Sequence, residues 1–283
     1  MDKVKIFCDS GSDLSHEMAA EYDITILPLI SILNGVEYID GVDLEPAAFY
    51  ASMRNGDIYT TSQYPLDDFL KVFEEYASSG RPCLFIAFSS EISGTYSSSR
   101  IAADMMKEKY PNSRVEVYDS KCASLGCGMV VFNIAKRAAE GAGIDELLEL
   151  TAWWSDHVDH IFAVDDVKYL ARGGRVSKTS AFFASSLDIR PVLNVEDGKL
   201  IPIKKVRGLK KVLASMIELM RQRSIDPGEH EVWISHADAY DKVESLIEMI
   251  KNEFGTTQFV VGNIGSVIGA HAGPGTIALF FVK

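Results

Sequence analysis

The sequence predicts an α/β protein, and three observations carry the prediction. Short runs rich in β-branched and aromatic residues alternate with longer amphipathic runs, several amphipathic runs stop at a glycine, and hydroxyls and glycines dominate the loops that follow the strands. Alternation of this kind builds sheets covered by helices and argues for mostly parallel strands.

VKIFC (residues 4–8) is the first strand, entered directly from MDK without an apolar signal region, and DSGSD follows it. ITILPLISIL (24–33) is the next strand-like run. LEPAAFYASMRNG (44–56) has helical spacing and closes at Gly56. YTTSQYP then connects to the helix LDDFLKVFEEYASSG (66–80), with Pro65 at its start and Gly80 at its end. CLFIAF (83–88) is a strand, followed by SSEISGTYSSS and the helix YSSSRIAADMMKEKY (96–110). RVEVYD (114–119) is a strand, followed by SKCASLG. The longest helical stretch runs from Ser124 through His160 and breaks only at EGAGID. A boundary near its end divides the chain into an N-terminal lobe, 1–160, and a C-terminal lobe, 161–283. HIFAV (160–164) is the strand at that boundary. IRPVLNV (189–195) and KLIPIKKV (199–206) form a hairpin turning at Asp197-Gly198. EVWIS (231–235), the helix KVESLIEMIKNEFG (242–255), TQFVVGNI (257–264) and TIALFFV (276–282) complete the order.

Composition narrows the function. With 40 acidic and 28 basic side chains the net charge is -12, which repels phosphate backbones and argues against nucleic-acid binding. No stretch approaches the roughly 18 apolar residues that span a bilayer, and a cytoplasmic location is expected. Cys8, Cys83, Cys122 and Cys127 form no CxxC pair; Cys8 and Cys83 fall in strands, where reduced, buried thiols are expected.

Most motifs fail on inspection. GGRVSKT has Ser177 where a phosphate loop needs glycine, GNIGSVIG lacks dinucleotide-fingerprint spacing, and no GxSxG surrounds any serine. DHVDH sets His157 and His160 on one helical face beside Asp156 and Asp159, a spacing open to a metal, although a solvated helix end accounts for it better. In HADAYD, Asp238 or Asp241 is expected to cap the next helix. Ser93 or Thr95 caps the helix running to Tyr110, which is compatible with an anion site there. Thr61 and Ser62 precede Pro65, Arg175 follows two glycines, and His271 lies among Gly269, Gly273 and Gly275. Such loops suit holding a small anionic group, and no activated nucleophile is evident.

Eight stretches in order, DSGSDLS, YIDGVD, YTTSQYP, SSEISGTYSSS, VYDSKCASLGCG, VKYLARGGRVSK, IRPVLNVEDGKLIPIKKVRG and IGAHAGPGTIAL, resemble the DegV family over essentially the whole chain. The resemblance implies two packed α/β lobes with a lipid tunnel between them and a single bound long-chain fatty acid. It further implies a non-catalytic, bacterial carrier subunit that presents the carboxylate to an ATP-binding fatty acid kinase subunit. The acyl phosphate made there would feed phospholipid synthesis. Carried over residue by residue, the carboxylate ligands fall on Thr61, Ser93 and His271; Arg175 matches the GGR arginine, and Arg175 and Arg207 are candidate ligand or partner contacts. No metal or cofactor beyond the fatty acid is implied. Two departures stand out: Tyr64 replaces a proline after TSQ, and DIRPVL replaces asparagine-isoleucine-lysine while Arg190 keeps a positive charge. The basic run at Lys204, Lys205, Arg207, Lys210 and Lys211 is either a docking patch or a solvated helix face. Two rival readings remain, a lipid hydrolase or acyltransferase using Ser93 with His271, and a lipid-responsive regulatory protein without a kinase.

Overall fold

The computed structural model describes residues 3–176 and 189–283. Ser177, Lys178 and Thr179 of GGRVSKT and Asp188 of DIRPVL lie outside them.

The first half builds a parallel sheet. β1 (Lys5–Asp9) leads through the short helix α1 (His16–Glu21) to its neighbour β2 (Ile24–Leu27). On its other side β1 pairs with β6 (Cys83–Ala87), and β6 pairs with β7 (Val115–Asp119), giving the order β2-β1-β6-β7. The outer face carries α3 (Leu66–Ser79) and α4 (Thr95–Lys109), packed through Phe69, Phe73, Phe85, Ala102 and Met106. α3 ends as expected at Gly80, whose left-handed backbone costs a glycine little.

The run 24–33 is not one strand. Pro28 lacks the N–H that a continuing ladder needs, and the chain leaves the first sheet there. β3 (Ile30–Leu33) instead starts a three-stranded antiparallel sheet with β4 (Val36–Ile39) and β5 (Thr60–Ser62). Thr61 and Ser62, expected in a connection, therefore lie on a strand. α2 (Pro46–Arg54) covers this region with Phe49, Tyr50 and Met53.

The helical stretch after Ser124 breaks where EGAGID predicts, into α5 (Leu125–Ala139) and α6 (Ile144–His157). It ends at His157, and β8 (Val158–Ala163) already belongs to a second, six-stranded sheet. That sheet adds β9 (Ile189–Glu196), β10 (Lys199–Arg207), β11 (Val232–His236), β12 (Phe259–Asn263) and β13 (Ile277–Val282), in the order β10-β9-β8-β13-β11-β12. Only β11 and β12 run parallel; the other four pairings are antiparallel. The expectation of mostly parallel strands therefore holds for the first sheet and fails for the second. The β9–β10 hairpin and the return of the chain into β13 from the glycine-rich IGAHAGPG supply antiparallel neighbours without crossover helices. The predicted turn is present, with Asp197 and Gly198 both at positive φ.

α8 (Leu209–Arg223) and α9 (Tyr240–Phe254) pack the outer face of the second sheet through Met216, Met220, Ile234, Leu246 and Leu279. Between the two sheets, α5 joins Ile6 and Ile86 of one to Phe162 and Phe280 of the other in one continuous apolar core. Two short helices, α7 (Val167–Gly173) and α10 (Ser266–Ala272), pack against each other. Among the described residues no helix is long and apolar enough to cross a membrane.

Candidate ligand cavity

Between the sheets lies a cavity of about 340 Å³, within the roughly 300–1,000 Å³ usual for small-molecule sites. Leu29, Phe88, Phe162, Leu170, Ala278 and Phe280 make most of it apolar. At one end the lining turns polar, and Thr61, Ser93, Arg175 and His271 are all there. Arg207 is not; it lies exposed on β10, the edge strand of the second sheet.

The polar end is assembled from four segments distant in sequence. β5 brings Thr61, the N-terminus of α4 brings Ser93, α7 leads to Arg175, and α10 carries His271 in its last turn. Thr61 Oγ1 and His271 Nε2 are 2.8 Å apart. His271 Nδ1 is buried and has no hydrogen-bond partner among the described residues. An unpartnered N–H costs more than an unpartnered lone pair, because an acceptor role is easier to forgo. The tautomer with hydrogen on Nε2 is therefore favoured: His271 donates to Thr61, and the threonine O–H stays free to donate into the cavity. Burial, with a smaller contribution from the Arg175 guanidinium, pushes the His271 pKa down to about 4, so the ring is neutral at neutral pH.

Two glycines make room. A Cβ on Gly173 would stand 2.2 Å from His271 Nδ1, so the ring packs flush against the end of α7. A Cβ on Gly94 would stand 1.9 Å from Gln63 Oε1, the side chain that donates to Ser98 Oγ at 2.7 Å. Gly94 itself is the N-cap of α4, correcting the expectation of a serine or threonine cap. Ser93 Oγ still accepts from Thr95 N at 3.2 Å and lies 2.9 Å from Thr95 Oγ1. Arg175 is steered by backbone carbonyls: Nε donates to Ile92 O at 3.1 Å, and a terminal nitrogen donates to Gly173 O at 2.7 Å. This end of the cavity thus presents hydroxyl donors, the start of a 15-residue helix and a guanidinium, with no carboxylate among the described lining residues. Chemically it can hold a carboxylate or a comparable anion.

Other sequence expectations are corrected. His157 ends α6 and stacks on Trp153, whereas His160 is buried on β8, so the two share no helical face. Among the described residues no cluster of three or more metal-ligating side chains occurs. Neither Asp238 nor Asp241 caps α9, whose N-cap is Ala239; Asp238 pairs with Arg54, and Ala239 N donates to His236 Nδ1 at 3.3 Å. Tyr64 turns into the apolar cluster on α3, 4.7 Å from the Phe69 ring. Lys204, Lys205, Arg207, Lys210 and Lys211 are all exposed, on β10 and the first turn of α8.

Three residues that sequence reasoning passes over hold α10 in place. Asp40 Oδ1 accepts from Ser266 N (2.7 Å) and Ser266 Oγ (2.8 Å), and Asp13 Oδ1 accepts from Gly265 N (2.8 Å). Ser31 Oγ lies 2.6 Å from Ser266 Oγ, and Ser31 is the β3 partner of Thr61. Both members of the Thr61–His271 pair are thereby fixed to one buried polar cluster. DSGSD and YIDGVD contain these acids, but nothing local in either stretch reveals that their target is more than 200 residues away.

Fold and site together define an α/β protein whose three sheets and helices enclose a mostly apolar cavity with an anion-compatible polar end. The family model described as "Uncharacterised protein, DegV family COG1307" matches residues 3–283, and the chain belongs to the DegV family. DegV domain-containing protein CPE0026 of Clostridium perfringens is 39% identical over 285 residues, covering 100% of this chain and 98% of that protein. Among solved structures, a DegV family protein from Thermus thermophilus described for its fatty acid binding matches with a TM-score of 0.89 at 27% identity, covering 100% of both chains. DegV of Bacillus subtilis, described as a fatty acid binding protein, matches with a TM-score of 0.87 at 26% identity over 100% of this chain and 99% of that one.

Proposed function

We propose that this protein binds one long-chain fatty acid, with the carboxylate at the hydroxyls of Thr61 and Ser93, His271 beside it orienting Thr61, and the acyl chain in the apolar cavity. One observation carries the reading: a mostly apolar cavity gathers hydroxyls, a guanidinium and a helix N-terminus where the Thr61–His271 pair meets α4, with no carboxylate among its described lining residues. The family relatives described as fatty acid binding proteins support it. Burying about 15 methylenes at roughly 0.8 kcal/mol each contributes on the order of 10 kcal/mol before entropy losses, enough to retain the ligand through purification. The head group then needs compensating donors, since an unpaired buried carboxylate costs several kcal/mol.

In the same reading the two sheets form two lobes, divided near residue 160, that close on the ligand. The protein is a non-catalytic cytoplasmic carrier that presents the carboxylate to an ATP-binding kinase subunit, and the acyl phosphate enters phospholipid synthesis. Arg175, at the polar end, and Arg207, among the exposed lysines, are the ligand or partner contacts proposed for that step.

Titration of delipidated protein with a long-chain acid and with the matching alcohol tests the binding claim: the acid should bind far more tightly. Equal affinity, or none, would overturn it. Ser93→Ala should weaken binding and leave no esterase activity to lose, whereas an enzyme would lose turnover. Mixing the loaded protein with an ATP-binding kinase subunit should yield acyl phosphate; its absence with every such subunit tried would remove the carrier role.

A further inference from the structure

The polar end of the cavity is fixed by His271, and strand register locates the opposite end. Thr276 Oγ1 donates to Ala272 O at 2.9 Å, directly after His271, so Thr276 marks the polar end. Thr276, just before β13, and Ala278 and Phe280 on it alternate along the cavity, a run of about 13 Å at roughly 3.3 Å per residue. Beside them on β8, Ala278 pairs with Phe162 and Phe280 with His160. On β9, Leu193 pairs with Phe162, which sets Val195 next to His160. Phe280, His160 and Val195 are therefore the last rung of the cavity floor.

A second cavity, of about 610 Å³, lies beyond that rung. His160 and Val195 line both cavities, and no other described residue does. The second is polar: Asp156, Asp159, Asn194 and Arg223 line it, with Arg223 3.3 Å from Asp159. The His160 ring is held as a fixed partition. Its Nε2 accepts from Ala123 N at 3.3 Å, it meets the Phe280 ring edge-on at 5.3 Å, and a Cβ on Gly126 would stand 2.2 Å from Nε2. Burial pushes its pKa down to about 4, so a neutral ring faces the apolar side.

We propose that His160, backed by Val195, is the end wall of the acyl cavity and sets the longest straight-chain acid the protein accepts. The proposal rests on the fatty acid reading above. A chain that outgrows the rung must displace the imidazole or push methylenes among carboxylates and a guanidinium. Each such methylene forfeits the about fourfold gain in affinity that apolar burial confers.

Delipidated protein offered an equimolar series of saturated acids from lauric to lignoceric, with the retained acids read by native mass spectrometry, tests the wall. The natural protein should retain shorter members and cut off at a defined length. His160→Ala should move the cutoff about two or more carbons longer while keeping the shorter acids. Val195→Phe, which thickens the same rung, should move it shorter, and it supplies the test if His160→Ala does not fold. A natural protein with no upper cutoff, or a cutoff unchanged in every variant that binds, would overturn the proposal. Failure of the natural protein to retain any acid would instead overturn the fatty acid reading itself.

Discussion

Replacing Thr61 with valine removes one hydroxyl and almost no volume, so the change isolates the hydrogen bonds. His271 Nε2 loses its 2.8 Å partner while Nδ1 remains unpartnered, leaving a buried ring with both nitrogens unsatisfied. The bound carboxylate loses a charge-assisted donor. A hydrogen bond to a charged group contributes about 1.5–3 kcal/mol, which converts to a roughly 10- to 150-fold loss of affinity for the acid. The matching fatty alcohol lacks the charge and should lose about fivefold or less, in line with a neutral hydrogen bond of about 1 kcal/mol. Competition against a fluorescent long-chain acid, run with acid and alcohol on both proteins, measures the two losses. If Thr61→Val binds the acid as tightly as the natural protein, the carboxylate is not at Thr61. If acid and alcohol weaken equally, the cavity was deformed and the electrostatic argument fails.

Gly173→Ala should cost acid binding at least about tenfold, because its Cβ occupies the place of His271 Nδ1; unchanged affinity would show that the ring can move away freely. Stability should fall as pH rises from about 6 to 9. Burial pushes the folded-state pKa of Asp9 up to about 7 and that of Asp13 to about 8, so each binds its proton more tightly folded than unfolded, and the stabilisation is lost as pH climbs through those values. The depressed pKa values of His160 and His271 act oppositely but only below about 6.5. Asp13→Asn should therefore flatten the decline in melting temperature above pH 6.5, and an unchanged slope would remove Asp13 as its source. The four cysteines are buried, and burial pushes the thiols of Cys8, Cys83 and Cys122 up to about 12. Iodoacetamide at pH 8 should leave the folded protein unmodified, and rapid labelling would contradict the packing.

Much of the fold is legible in the sequence because its signals are local. Alternating apolar runs mark strands, Gly80 and Gly255 stop helices, and Asp197-Gly198 turns a hairpin. Sheet membership is not, since the run 24–33 reads as one strand until Pro28 divides it between two sheets. Strand direction in the second sheet depends on how β13 inserts between β8 and β11, which no local pattern encodes. At the site, Thr61, Ser93, Arg175 and His271 stand out from the sequence, and the structure gathers all four at one end of the cavity. Gln63, Gly94 and Gly173 do not, because their importance is a close approach between distant segments. His160 reads both as the end of a polar helix in DHVDH and as the start of the strand HIFAV, and the strand that begins at Val158 buries it.

Native mass spectrometry of the freshly purified protein, followed by organic extraction and identification of whatever is released, tests the central claim most directly. The account predicts one long-chain fatty acid per chain. A protein that emerges empty, and stays empty when offered saturated and unsaturated acids, would contradict it.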